Sequence, residues 1–139
     1  MTAPALSMLD ASLYISGGGQ ALPALALMLD VMPKNAVAHA QPGVDFGFYQ
    51  RQENSIRCSS VKGDFSFACD VGLFRITAFQ LHEKLRQLGE QGWVIALPDE
   101  TSESPLQYWL FENGSAKTAV ILRNDASDKV TIWRGEQRE

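Results

Sequence analysis

The chain has 139 residues, of which 45% are hydrophobic and 20% are charged. This length suits one domain, and the composition is too apolar for an intrinsically disordered chain. The net charge of −4 argues against a nucleic-acid-binding surface, because such a surface depends on clustered lysine and arginine. We therefore predict a single α+β domain over residues 1–139, with a charge-poor helical N-terminal part (1–40) and a β-rich remainder (41–134).

The N-terminal part is unusual in its charges. Asp10, Asp30 and Lys34 are the only charged residues among the first 40, and the other 25 lie further along the chain. The 19 residues between the two aspartates are long enough to cross a membrane, but residues 17–19 are all glycine and Pro23 follows. No lysine or arginine precedes Lys34, which argues against a secretory signal. The pattern predicts no membrane contact and a cytoplasmic location.

A short strand (13–16), a glycine turn and a helix (20–32) are predicted in this part. The helix is apolar on nearly every side, so it should be buried on more than one side. One interpretation is a central core helix, and the other is a helix with one face against a second protein or a copy of this chain. The second interpretation rests on Leu22, Leu25, Leu29 and Met32.

Three strands are predicted in the middle of the chain, at residues 44–50, 55–61 and 64–71. If residues 63 and 64 form a two-residue loop, Cys58 faces Cys69 across the resulting hairpin. The expected state is two buried reduced thiols, with a disulfide as the alternative. Neither cysteine has the spacing to other cysteines or histidines that structural zinc requires.

The second helix is predicted from Thr77 to Gln91. Thr77 and Gln80 have the spacing of a capping box, in which each side chain bonds the other's backbone N–H. A stripe with helical spacing is expected to be buried, and it contains Leu81, Leu85 and Leu88.

A meander of four strands completes the predicted fold, at residues 93–97, 106–112, 117–123 and 129–134. Asn113 and Gly114 form a strong turn signal between two of them. In the simplest register, Tyr108, Leu110 and Trp133 share one face, and the opposite face packs on the Thr77 helix. Because both faces are apolar, both need cover. Either the N-terminal helix or a partner is expected to cover the face that contains Tyr108.

The histidines and acidic residues of the sequence form no recognisable catalytic motif. His82 is expected to be a boundary residue of its helix, and His39 lies outside any nucleophile motif. Asp99, Glu100 and Glu103 are close in sequence, but their spacing fits no calcium loop. Phosphate-binding and hydrolase motifs are also missing from the sequence. We therefore predict no catalytic residues, no cofactor and no metal.

The sequence thus favours a non-enzymatic partner-binding protein, such as a small acidic bacterial chaperone, adaptor or immunity-type inhibitor. Its partner is another protein or a second copy of the chain. The contact surface combines the apolar helix with Tyr108, Leu110 and Trp133. The alternative is a small enzyme or ligand-binding domain with a pocket between the meander and the Thr77–Gln91 helix. A deep site lined by His82 or by the 99–103 loop would indicate this alternative.

Overall fold

The computed structural model describes residues 8–17, 21–29, 48–51, 54–74 and 76–133. Within them, two helices accompany one mixed, mostly antiparallel sheet, as α1 (Ala21–Met28) and α2 (Ala78–Glu90). The nine strands are β1 (Met8–Ile15), β2 (Phe48–Arg51), β3 (Asn54–Ser60), β4 (Lys62–Gly63), β5 (Phe67–Phe74), β6 (Ile95–Pro98), β7 (Gln107–Glu112), β8 (Ser115–Asn124) and β9 (Lys129–Trp133). Their spatial order is β2-β3-β5-β1-β6-β7-β8-β9-β4.

This sheet curls back on itself. Strand β4 follows β3 after Val61 alone, yet β3 is second in the order and β4 is ninth. Strand β4 pairs in parallel with β9, where Gly63 lies opposite Val130. Across two intervening strands, Arg123 Nη1 on β8 donates a hydrogen bond to Tyr14 Oη on β1 at 3.4 Å. The sheet therefore has a concave inner face and a convex outer face.

Both helices lie on the outer face. Leu25 and Leu29 of the α1 region share one buried cluster with three leucines of α2. The same cluster includes Leu13 and Ile15 of β1. The described part of the N-terminal helix therefore packs with α2 and contributes nothing to the other cluster. Of the two expected covers for the face that contains Tyr108, the N-terminal helix is wrong.

The inner face has a core of its own. It contains Tyr14, Val61, Phe65, Ala96, Leu110, Ile121 and Val130. Phe65 comes from the connection between β3 and β5 and is only 2% exposed. The curvature of the sheet and this connection thus bury the face that was expected to need a helix or a partner.

The β3–β5 hairpin has the predicted register but not the predicted loop. Cys58 lies opposite Cys69, as expected. The regular pairing ends at Ser60 and Phe67, and the chain between them contains β4. A two-residue loop is therefore wrong, because Lys62 and Gly63 pair with β9 instead of turning.

Two local signals are confirmed. Thr77 caps α2, and the reciprocal bonds with Gln80 complete the capping box. Asn113 and Gly114 both have positive φ, 55° and 79°, in the tight turn between β7 and β8. Strand β1 is longer than the predicted 13–16, and of the predicted strand 44–50 only residues 48–50 lie within the described residues.

The faces of β9 are reversed relative to the prediction. Trp133 lies opposite Val120, and Val130 lies opposite Arg123. Val130 and Ile132 therefore point to the inner face with Leu110, and Trp133 lies on the outer face. A register difference of one residue moves every side chain of a strand to the other face, and the loop after Asn124 sets that register here.

Candidate functional site

Three of the seven predicted contact residues are buried in the core. Leu25, Leu29 and Leu110 are at most 2% exposed, so they stabilise the chain's own core and offer no contact area in this fold. The side chain of Leu22 and all of Met32 lie outside the described residues.

The two remaining contact residues lie on opposite faces. Tyr108 is half-buried and packs in the inner core, whereas Trp133 on the outer face is 50% exposed. The structure therefore does not bring together the site that the sequence predicted.

The sheet opens between β1 and β6. Strand β1 pairs with β5 along all eight of its residues, but with β6 only at Tyr14 and Ile15. Ser16 N donates to Val94 O at 2.9 Å. Because hydrogen-bonded positions alternate along an antiparallel ladder, the next such position beyond Tyr14 would join Ser12 to Pro98. Proline has no N–H to donate, so at most one of the two bonds of that pair can form, and the paired residues end at Tyr14.

A cavity of about 290 Å³ occupies this opening. We call it the β1–β6 cleft. Its walls are residues 9–12 of β1, the end of β6 with the following loop, and the N-terminal half of α2. Apolar side chains dominate the lining, namely Leu9, Ala11, Ala78, Leu81, Leu97, Pro98 and Trp109. The polar residues are Asp10, Ser12, His82, Asp99, Glu100 and Thr101.

Asp99 gives the cleft a fixed negative charge. It is only 7% exposed. Its Oδ1 accepts hydrogen bonds from the Thr101 hydroxyl at 2.6 Å and the Thr101 N–H at 3.0 Å, and its Oδ2 accepts one from Gln107 Nε2 at 3.0 Å. The bonds from Thr101 and Gln107 lower the pKa of Asp99, because they favour the ionised form. The carboxylate is therefore charged at neutral pH.

His82 lies on the α2 wall of the cleft. Its ring makes edge contacts with Trp109 and Phe111, with centroids 5.8 and 5.4 Å away. Burial lowers the pKa of His82, and the nearby charges of Asp99 and Glu83 oppose that shift. The imidazole is therefore neutral at pH 7, so one ring nitrogen is a hydrogen-bond donor and the other is an acceptor.

The sequence indicated only part of this cleft. His82 and the loop beginning at Asp99 were the residues expected to mark such a pocket, and both line it. The contribution of residues 9–12 was missed, because that segment was assigned to no element. Pro98 was the available signal, since a proline in a central strand interrupts its ladder.

A second cavity, of about 420 Å³, lies on the inner face. Several of its polar groups already bind one another. Ser12 Oγ donates to Asp70 at 2.7 Å, and Arg123 contacts Tyr14 as well as an aspartate at 3.2 Å. Burial, together with Tyr14, raises the pKa of Tyr108 to about 12, so its hydroxyl stays neutral. The charged groups of Asp70 and Arg123 are thus paired within the protein, as the carboxylate in the cleft is, and the two cavities differ chiefly in that the lining of the inner one is more polar.

Comparison with known protein families, curated proteins and solved structures finds no significant match to this chain. None of the helices in the described residues has the length and apolarity needed to span a membrane. In the same residues, no group of three metal-ligating side chains is close enough to hold an ion.

Proposed function

We propose that this protein is a small-molecule-binding domain whose ligand occupies the β1–β6 cleft. The single observation that supports it is the mostly apolar cavity at a break in the sheet, with His82 and Asp99 in its lining. Ligand sites typically combine apolar walls with a few polar groups that fix orientation. The proposal keeps a cytoplasmic location and requires no cofactor.

The size and polarity of the cleft define the ligand class. A volume of about 290 Å³ is at the lower end of ligand pockets, so the ligand is fragment-sized. Its apolar body contacts Leu81, Leu97 and Trp109. A hydrogen-bond donor on the ligand points to Asp99, because an ionised carboxylate only accepts hydrogen bonds.

A fragment screen by amide chemical-shift mapping tests the proposal. We expect bound fragments to shift amides on both walls, including Ser12 and His82. Ala78 lines the cleft and is exposed, and replacing it by leucine should weaken binding about tenfold, equivalent to about 1.4 kcal/mol. Ala126→Leu, at an exposed turn, is the matched control and should leave affinity unchanged. Fragments that map elsewhere, or that bind Ala78→Leu equally well, would contradict the proposal.

Partner binding is the second candidate, and a specific observation supports it. On the outer face, Trp133 is 50% exposed and Leu122 is 39% exposed, and Val120 lies opposite Trp133 in the neighbouring strand. Exposed apolar side chains that adjoin one another are typical of interaction surfaces. The partner is a second copy of this chain or another protein.

Sedimentation over a wide range of protein concentration tests self-association on this face. A monomer–dimer equilibrium that Trp133→Gln abolishes would support a homodimer. Lys129→Gln, at the exposed start of the same strand, is the control and should dimerise normally. A monomer at every concentration would leave a different protein as the partner, whose binding Trp133→Gln should then weaken.

A further inference from the structure

Cys58 and Cys69 form a closely spaced pair of thiols. They lie directly opposite each other on β3 and β5, and their exposed fractions are 2% and 1%. Cys58 Sγ lies 2.9 Å from Cys69 Sγ.

From this geometry we infer that Cys58 and Cys69 are a reversible disulfide site, oxidised by a small-molecule disulfide of the glutathione type. A disulfide bond is about 2.05 Å long, and its two Cβ atoms lie about 3.5–4.5 Å apart. Directly opposite residues of an antiparallel pair have Cβ atoms about 4.5–5.5 Å apart. A small approach of the two strands is therefore enough to form the bond.

The reaction is two successive thiol–disulfide exchanges. One protein thiolate attacks a sulfur of oxidised glutathione and releases one glutathione. The second protein thiolate then displaces the other glutathione from the mixed disulfide. The protein loses two electrons and two thiol protons, and oxidised glutathione gains them as two reduced molecules.

The environment makes this exchange slow in the folded protein. The hydrogen bond with Cys58 and burial both raise the pKa of Cys69, so little thiolate is present. Oxidation therefore requires an opening of the strand pair, or it occurs during folding. Once formed, the bond holds the hairpin together three residues before Val61, where the chain leaves β3 to reach β9.

Burial slows oxidation of the folded protein, so the test refolds the full chain in a glutathione redox buffer. The refolded protein is then alkylated under denaturing conditions and digested with trypsin. Cleavage after Arg57, Lys62 and Arg75 places the two cysteines on separate peptides, 58–62 and 63–75. We expect these peptides to be joined in the monomer at oxidising buffer ratios, with a mass lower than their sum by two hydrogens, and to separate on reduction.

Cys58→Ala is the control for pairing within one chain, and it should yield no joined peptide. Three results would overturn the inference. The first is natively folded protein in which both peptides remain alkylated even in fully oxidised glutathione. The second is joined peptides that occur only in covalent dimers, and the third is glutathione adducts without the joined peptide.

Discussion

The sheet departs from a regular ladder at two places, with opposite results. At Lys62 and Gly63 the chain leaves the β3–β5 hairpin and pairs with β9, which connects β3 near one end of the strand order to β9 near the other. At Pro98 the ladder between β1 and β6 stops, which leaves the β1–β6 cleft. One departure closes the sheet and the other opens it.

A single backbone property explains each departure. Gly63 has φ +100°, and a Cβ there would lie 2.4 Å from the backbone oxygen of Val130, so only glycine permits this close approach. Pro98 occupies a position where the ladder needs an N–H, which proline lacks. Each departure thus has a local feature of its own, and we expect a change at one to leave the other intact.

Gly63→Ala should have the largest effect, because it breaks the closure. The alanine Cβ meets both a strained φ and the Val130 carbonyl. We expect the free energy of unfolding to fall by about 3 kcal/mol. The measurement is urea denaturation.

Gly92→Ala is the matched control for that change. Gly92 has nearly the same φ, +105°, but nothing lies within 4 Å of the added Cβ. Its cost should be about 1 kcal/mol from backbone strain alone. Equal losses in the two variants would show that the contact with β9 contributes nothing.

Pro98→Ala should close the opening at a smaller cost in stability. Without the proline ring the unfolded chain has more conformational entropy, which destabilises the folded protein by about 0.4–1 kcal/mol. A new hydrogen bond to Ser12 stabilises it by about 0.5–1.5 kcal/mol. The free energy of unfolding should therefore change by less than about 1 kcal/mol. Fragment binding in the cleft should be lost.

Pro105→Ala controls for the loss of a proline ring, since Pro105 lies in an exposed loop away from the cleft lining. It should lower stability slightly and leave fragment binding intact. If Pro98→Ala binds fragments as well as the wild type does, the missing N–H does not create the cleft.

Local chemistry made parts of this fold predictable. The Thr77 capping box, the Asn113–Gly114 turn and the Cys58–Cys69 register each depend on residues close in sequence. The closure at Gly63 and the placement of β1 between β5 and β6 depend on strands distant in sequence, and no local pattern indicates them. The same holds for the β1–β6 cleft. His82 and Asp99 were predicted to mark a pocket, but the wall that β1 contributes was not predicted.

Asp99→Asn should reduce the acid sensitivity of the protein. The folded pKa of Asp99 lies below its ordinary value of 3.8, so its contribution is complete above that value and is lost as pH falls through the folded pKa. Wild-type protein should lose more stability than Asp99→Asn between about pH 7 and about pH 2. Parallel acid denaturation of the two proteins measures the difference, and identical losses would contradict the role of Asp99.

His82→Gln should have the smallest effect, and it appears in a different pH range. The folded pKa of His82 lies below its ordinary value of 6.5. The unfolded chain therefore binds the proton first, and stability falls as pH decreases through about 6.5. His82→Gln should lessen that fall, as measured by urea denaturation at about pH 8 and about pH 5. An unchanged pH dependence would show that His82 is not desolvated by the cleft.

Amide hydrogen exchange along β1 tests the opening of the sheet most directly. Alternate amides of the strand face β5 and β6. Ile15 O faces β5, since it accepts a hydrogen bond from Ser66 N, whereas Ser16 N faces β6. The account therefore predicts slow exchange at Ala11 and Leu13 and fast exchange at Asp10 and Ser12. Equal protection at all four amides would mean that β1 is paired on both sides and that the β1–β6 cleft does not exist.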